Sequence, residues 1–135
     1  MKLFRLLFIT LLASITISSC TVEVGSVSLV EGNKYETTYV KYVTTGGGQT
    51  TTNEFSTKEE LTRNFLYGTM EFKAGGIYWA DDKEAGTWVE NGAYVTITED
   101  GETIEAKIEG DVIKMDIVLN SGSLTSNLEM HYTKI

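Results

Sequence analysis

Short segments of alternating polarity, divided by turn residues, constrain this chain more than any other feature. From residue 27 onward these segments are rich in Thr, Val, Ile and aromatic residues, a pattern typical of β-strands. The pairs Asn91-Gly92 and Asp100-Gly101 between them favour the positive φ angles of tight hairpin turns. The chain contains no proline, and its glycines cluster where turns are needed. The predicted strands are 34–45, 49–55, 69–73, 77–80, 86–90, 93–98, 103–109, 112–119 and 124–133.

Connections this short join antiparallel neighbours, so we predict an all-β meander. A meander of eight to ten strands is too long to stay flat, and closing it removes the exposed edges. We therefore expect a closed barrel, with a two-sheet sandwich as the alternative that the sequence leaves open. One short helix is predicted between Ser56 and Leu66, where Ser56 or Thr57 can cap and Leu61, Phe65 and Leu66 share one face.

The N-terminal residues have the pattern of a secretory signal. Lys2 and Arg5 provide positive charge, and an apolar stretch follows from Leu6 to Ile17. The stretch is short and contains Ser and Thr, so cleavage fits it better than a membrane span of about 20 apolar residues. We predict that residues 1–19 are removed.

Cys20 is the single cysteine, and it ends the run Ile17-Ser18-Ser19-Cys20. This run resembles the lipobox of bacterial lipoproteins, in which an aliphatic residue and two small residues precede a Cys. The resemblance implies acyl chains on Cys20, and several chains anchor a protein stably to a membrane. We therefore expect an extracytoplasmic protein of a bacterial cell envelope, with residues 20–26 as the acylated Cys and a short tether, and residues 27–135 as one domain. One cysteine also excludes an intramolecular disulfide.

The charge of the chain limits its partners. Without residues 1–19 the chain carries nine basic and 19 acidic residues, a formal charge of −10. Nucleic acid binding depends on clustered Lys and Arg, so no nucleic acid partner is expected. The membrane, contacted through the lipid on Cys20, is the expected partner.

Several motifs resemble the small lipocalin-like lipoproteins of bacteria. They are Tyr67-Gly68-Thr69-Met70-Glu71-Phe72-Lys73-Ala74-Gly75-Gly76, Gly86-Thr87-Trp88, Asn91-Gly92 and Val95-Thr96-Ile97, followed by the last two hairpins. The resemblance covers about residues 30–135 and implies a lipocalin-like barrel. In place of the Gly-x-Trp that lipocalins carry near the first strand, this chain reads Gly32-Asn33-Lys34-Tyr35.

Catalytic and metal-binding patterns do not emerge from the sequence. The single His, His131, lies in the last predicted strand, with no nucleophile and base pattern around it. No set of Cys and His suits zinc, and the acidic loops lack the spacing of a calcium loop. We predict a protein that is not an enzyme and needs no cofactor or metal.

The aromatic and Met side chains suggest an interior. Strand alternation predicts one interior-facing set: Tyr35, Tyr39, Phe72, Trp79, Trp88, Met115 and Met130. Of these, the candidate ligand-binding residues are Tyr39, Phe72, Trp79, Trp88, Met115 and Met130. Such residues either fill a core or line a pocket for a small apolar ligand. We predict a non-enzymatic binder of a small hydrophobic molecule. The alternative is a filled barrel that acts as a structural or protein-interaction module, such as an inhibitor or an accessory subunit.

Overall fold

The computed structural model describes residues 27–135, which form nine strands and one helix. The predictions for residues 1–26, including the signal, Cys20 and most of the tether, lie outside the described residues. The elements are β1 Lys34–Gly46, β2 Gln49–Phe55, α1 Lys58–Arg63, β3 Thr69–Lys73, β4 Ile77–Ala80, β5 Lys83–Asn91, β6 Tyr94–Glu99, β7 Glu102–Glu109, β8 Val112–Ser121 and β9 Leu124–Lys134.

The strands form a closed antiparallel barrel, as predicted. Consecutive strands pair from β3 through β9, and β1 pairs with both β3 and β9. The β1–β9 ladder runs from Tyr35 opposite Lys134 to Thr45 opposite Thr125. This pairing closes a barrel of eight strands, which excludes the two-sheet sandwich. The ninth strand, β2, is an addition beside the C-terminal half of β1.

The long strand β1 pairs with two different strands along one of its edges. Its first residues, Lys34–Glu36, pair with β3, and its last residues, Val40–Gly46, pair with β2. On the other side β9 follows it for most of its length. As a result β1, β2, β9 and the C-terminal part of β8 extend beyond the barrel as a four-stranded sheet.

The helix α1 lies in the interval between β2 and β3. Thr57 and Glu60 form a capping box: the Thr57 hydroxyl accepts from the Glu60 N–H at 3.2 Å, and the Thr57 N–H donates to the Glu60 carboxylate at 3.3 Å. Leu61 is fully buried, as predicted. The prediction for Phe65 is wrong: it follows the helix end with φ 58° and is 80% exposed, because the helix ends before its side chain can reach the buried face.

Aromatic rings fill the middle of the barrel and its interior toward the end with the β3–β4 turn. Phe72, which is fully buried, lies with its ring centre 5.8 Å from Tyr35, 5.5 Å from Trp88 and 5.9 Å from Tyr78. The first two contacts are edge-to-face, a favourable arrangement of aromatic rings. The Trp88 Nε1–H donates to the Lys73 carbonyl at 2.9 Å, so its polar atom is satisfied. Around these rings lie Val30, Met70, Val95, Ile97, Ala106, Ile108, Ile113 and Met115.

Candidate functional site

The two ends of the barrel differ in how they are covered. We define the base as the end with the β3–β4, β5–β6 and β7–β8 turns, and the open end as the end with the β4–β5 and β6–β7 turns. At the base, the Ser28 hydroxyl donates to the Glu90 carboxylate at 2.6 Å, and the Leu29 N–H donates to it at 2.9 Å. These bonds hold the N-terminal segment across the base. Backbone and side chains therefore cover this end.

At the open end the barrel wall is incomplete. The β7–β8 ladder runs only from Ala106 opposite Met115 to Glu109 opposite Val112. Within residues 27–135, the first half of β7 pairs only with β6, and β8 from Asp116 onward pairs only with β9. The two strands thus part above Ala106 and Met115, and the barrel interior meets solvent there.

On β4, β7, β8 and β9, apolar side chains that face inward become more exposed toward this end, whereas Val40 on β1 is fully buried. Ile97 and Met115 are buried, whereas Ile104, Ala80 and Met130 are only partly buried although they pack against the core. Ile117 and Leu128 continue the same inward face on β8 and β9, and both are half-buried. The open end therefore presents a concave, largely apolar surface.

Polar groups lie among these apolar side chains. Burial raises the pKa of Tyr132 to about 12, and the nearby Thr37 hydroxyl opposes this rise. Burial also raises the pKa of Tyr78, with smaller contributions from Tyr132 and Glu99. The pKa of Glu99 is raised as well, first by burial and then by the neighbouring carboxylates Asp100 and Asp81. The open end thus combines phenol hydroxyls with a carboxyl group whose charge is disfavoured.

Asp81 is tied to the rim of the open end by the backbone. The Thr69 N–H donates to Asp81 Oδ1 at 2.8 Å, and the Asp81 N–H donates to the Thr69 carbonyl at 2.9 Å. Asp81 and Asp82 both have positive φ, 49° and 62°, as the two central residues of a tight hairpin. Asp81 is thus a fixed part of the rim of the open end.

The structure brings together four of the six candidate ligand-binding residues. Phe72, Trp88 and Met115 lie in the core, and Met130 lies between the core and the open end. The first three are at most 8% exposed, so they fill the interior. Of the four, Met130 has the clearest access to the open end.

Tyr39 and Trp79 lie on the outer wall, which corrects the prediction that they face the interior. A bulge between Thr37 and Tyr39 inverts the alternation of β1, so that Val40 faces inward and the Tyr39 ring centre lies 4.8 Å from that of His131 on the outside. In β4, Tyr78 faces inward opposite Phe72, and Trp79 lies outside beneath the Lys73 ammonium at 4.6 Å.

Sequence reasoning missed Ile104, Tyr132 and Glu99 as residues of the open end. Alternation within β7 and β9 places Ile104 and Tyr132 inward, and this signal was available in the sequence. Alternation within β6 likewise places Glu99 on the inward face of Val95 and Ile97, opposite Gly86 of β5. The predicted strand 93–98 ended one residue before it.

A second concave surface lies at the base. Val27, Ser28, Leu29, Trp88, Glu90 and Gly92 line a cavity of about 440 Å³ that is widely open to solvent. Val27 and Leu29 are 88% and 54% exposed. The Ser28 and Leu29 hydrogen bonds to Glu90 cross this surface, so the Glu90 carboxylate is already bound by the chain itself.

His131 lies on the outer wall, away from both concave surfaces. Its Nε2 is 2.7 Å from the Glu129 carboxylate, and its ring lies against Tyr39. Among residues 27–135, no group of three or more His, Cys, Asp or Glu side chains is arranged to hold a metal ion. Within the same residues, no helix is long and apolar enough to cross a membrane.

Comparisons with family models, with curated proteins and with solved structures found no match for this chain. The fold and the geometry of the site therefore define its class. It is a small antiparallel β-barrel with a covered base and a concave, largely apolar open end.

Proposed function

We propose that this chain is a lipid-anchored protein of a bacterial cell envelope, whose lipocalin-like barrel binds a small hydrophobic molecule at the open end without catalysing a reaction. The observation that carries the binding proposal is the set of inward-facing but only partly buried apolar side chains at that end. Ile104 and Met130 belong to it. Leaving such side chains partly in water has a cost, about 25 cal/mol for each Å² of apolar surface, that a bound apolar ligand removes.

The polar groups of the open end narrow the kind of ligand. Asp81 and Glu99 lie near the Tyr78 and Tyr132 hydroxyls, Asp100 lies near Glu99, and these carboxylates oppose a ligand that carries a negative charge. A neutral apolar molecule with a hydrogen-bonding group suits both the apolar wall and the phenol hydroxyls.

A dye titration tests the binding proposal. N-phenyl-1-naphthylamine is neutral and apolar, and its fluorescence rises when it leaves water. We expect saturable binding to the soluble domain, residues 21–135, and at least a tenfold weaker affinity in Ile104→Ser. Val89→Ser on the outer wall, where Val89 is 65% exposed, is the matched control and keeps the affinity. Equal affinity in Ile104→Ser and the parent domain would contradict the open end as the site.

The anchor is tested separately, through Cys20. Cells that express the full chain are labelled with an alkyne fatty acid, and the protein is isolated and examined for the label. We expect label on the parent chain and none on Cys20→Ser, because acylation requires the sulfur. Label that persists in Cys20→Ser would sink the anchor proposal and leave the binding proposal untouched.

The second candidate is a structural or protein-interaction module with a filled barrel. The packing of Phe72 against Tyr35, Tyr78 and Trp88 favours this candidate, because these rings fill the barrel interior toward the base with side chains. Native mass spectrometry of residues 21–135 from the protein's own host distinguishes the two. Extra mass that disappears on denaturation supports a small ligand, and a bare polypeptide mass supports the module.

A further inference from the structure

The C-terminal part of β8 has an unpaired edge. Within residues 27–135, residues 116–121 hydrogen-bond to β9 on one side, and no register pair is formed on the other side, where β7 has turned away. We call residues 116–121 the β8 edge. Unpaired backbone N–H and C=O groups along an edge are a template for another strand.

Apolar side chains accompany this edge on both faces of the sheet. Val118 is 61% exposed on the outer face, and Leu119 is 41% exposed on the inner face. Leu124, opposite Ser121 on β9, is 47% exposed. Proteins normally protect an edge with charged side chains, Pro or a bulge, whereas here the middle of the edge reads Ile117-Val118-Leu119.

The second unpaired edge of the same sheet has a different character. On β2, Gln49, Thr50, Thr51 and Thr52 are exposed, and Glu54 pairs with Lys41 at 3.3 Å. Polar and charged residues therefore cover the β2 edge. The contrast singles out the β8 edge as the apolar one of the two.

The charges around the β8 edge are negative. Asp116 begins the edge, and Glu102 and Glu105 lie on the part of β7 that has separated from it; all three are exposed. The nearest lysines on these strands, Lys107 and Lys114, are held by Glu109 at 2.7 Å and 2.5 Å. A second copy of the chain would bring the same carboxylates to its own edge, and their repulsion disfavours it. Charge complementarity favours a basic partner.

We propose that the β8 edge binds an extended protein segment of about six residues, with alternating apolar and basic side chains, by adding it as a strand. Backbone hydrogen bonds to residues 116–121 hold the segment. Its apolar side chains cover Leu119 on the inner face, and its basic side chains face Asp116 and Glu105 on the outer face. This interaction goes beyond the binding of a small molecule at the open end and does not depend on it.

Synthetic peptides test the proposal on the soluble domain, residues 21–135. The probe is an eight-residue peptide of alternating Val and Lys with a fluorescent label, and the comparison peptide carries Glu in place of Lys. Fluorescence anisotropy gives the affinity, and hydrogen exchange locates the bound peptide. We expect the Val–Lys peptide to bind at least tenfold more tightly than the Val–Glu peptide and to slow exchange at residues 116–121.

Three variants separate the β8 edge from other surfaces. Val118→Lys and Asp116→Lys each place a positive charge at the edge, and we expect each to weaken binding of the Val–Lys peptide at least tenfold. Thr52→Lys makes the same kind of change on the β2 edge and should leave the affinity unchanged. Because all three positions are exposed, the thermal unfolding midpoints should stay close to that of the parent domain.

Four results would overturn the proposal. The first is no binding of the Val–Lys peptide at about 1 mM, because a dissociation constant above that value is too weak for a specific site. The second is equal affinity for the two peptides, and the third is that the peptide slows exchange at the β2 edge instead of the β8 edge. The fourth is a dimer that forms without peptide and slows exchange at residues 116–121, since a second copy would then be the occupant. The open end and the β8 edge adjoin the same gap between β7 and β8, so the dye titration is run without peptide and reports the small-molecule site separately.

Discussion

Trp88 shows how one side chain separates the filled part of the barrel from the open part. Its sequence position fits a core residue and a pocket residue equally well. In the structure its ring packs edge-to-face on Phe72 and its Nε1–H donates to the Lys73 carbonyl. A side chain with its polar atom satisfied and 8% of its surface exposed is part of the core.

Trp88→Ala should therefore lower the free energy of unfolding by about 3–5 kcal/mol, because it leaves a cavity among packed rings. Urea denaturation of residues 21–135 measures the change. Val89→Ala is the matched control: the side chain is exposed, and the expected change is within about 0.5 kcal/mol. A loss of less than about 1 kcal/mol in Trp88→Ala would place the ring outside the core.

Glu99 gives the open end a pH dependence. Its pKa is raised from 4.5 by burial and by Asp100 and Asp81, so the folded state favours the neutral acid. The contribution of Glu99 to the free energy of unfolding is therefore complete below pH 4.5, and it is lost as the pH rises through the raised pKa.

Glu99→Gln keeps the shape of the neutral acid at every pH. At pH 7 we expect the variant to have a larger free energy of unfolding than the parent domain, and at pH 3 we expect the two to be equal. Urea denaturation at each pH measures the difference. Glu105→Gln, on the outer face of the next strand, is the control for removing one negative charge. A gain of equal size at pH 3 and pH 7 would argue against ionisation of Glu99 as the cause.

At the scale of elements, alternation and turn residues predicted most of the fold. The predicted strands 49–55, 69–73 and 77–80 match β2, β3 and β4 at both ends, and the other strands differ by one to three residues. Local patterns suffice there because Gly, Asn and Asp set the turns. Alternation failed in β1, where the failure has a local cause.

The bulge of β1 is this cause. One extra residue between Thr37 and Tyr39 moves every later side chain of β1 to the opposite face. Tyr39 was therefore predicted inside and lies outside, and Val40 takes its place. A bulge depends on the strand opposite it, in this case β9, so a pattern read along β1 alone does not reveal it.

The open end was unpredictable for the same reason. It exists because the β7–β8 ladder stops at Ala106 and Met115, although both strands continue. Length and alternation are unchanged across that point, so neither strand signals the separation. The sequence thus predicts the strands around the site and not the gap that opens it.

The capping box of α1 tests how much this short helix depends on one side chain. Thr57→Ala removes the hydroxyl that accepts from the Glu60 N–H, and we expect a loss of about 1 kcal/mol in the free energy of unfolding. Ser56→Ala is the control, since Ser56 contacts Glu60 through its backbone N–H. Urea denaturation compares the two. Equal losses would show that the cap contributes little.

At the scale of the whole molecule, the barrel and its four-stranded extension differ in packing. Buried side chains hold β3, β6, β7 and the first half of β8, whereas most of β2 and the end of β8 are exposed. Segments with few buried contacts open at a lower free energy than a packed core.

Hydrogen exchange should separate these two parts. We expect amides of residues 49–54 and 116–121 to exchange faster than those of residues 70–72 and 112–115, because the former open without disrupting the ring cluster around Phe72. Mass spectrometry of peptic fragments after timed exposure to heavy water measures the rates. Uniform protection across both groups would mean that the extension unfolds only together with the barrel.

The attachment of the N-terminal segment to the base gives the molecule a direction. Val27 leaves the barrel beside Glu90, at the end opposite the β4–β5 and β6–β7 turns. Seven residue steps separate Val27 from Cys20, and fully extended they reach at most about 25 Å. With the proposed acyl chains on Cys20, the base would stay within this reach of the bilayer, and the open end is the end of the barrel farther from the anchor. A ligand of the proposed open-end site would then enter from the aqueous phase and not directly from the bilayer.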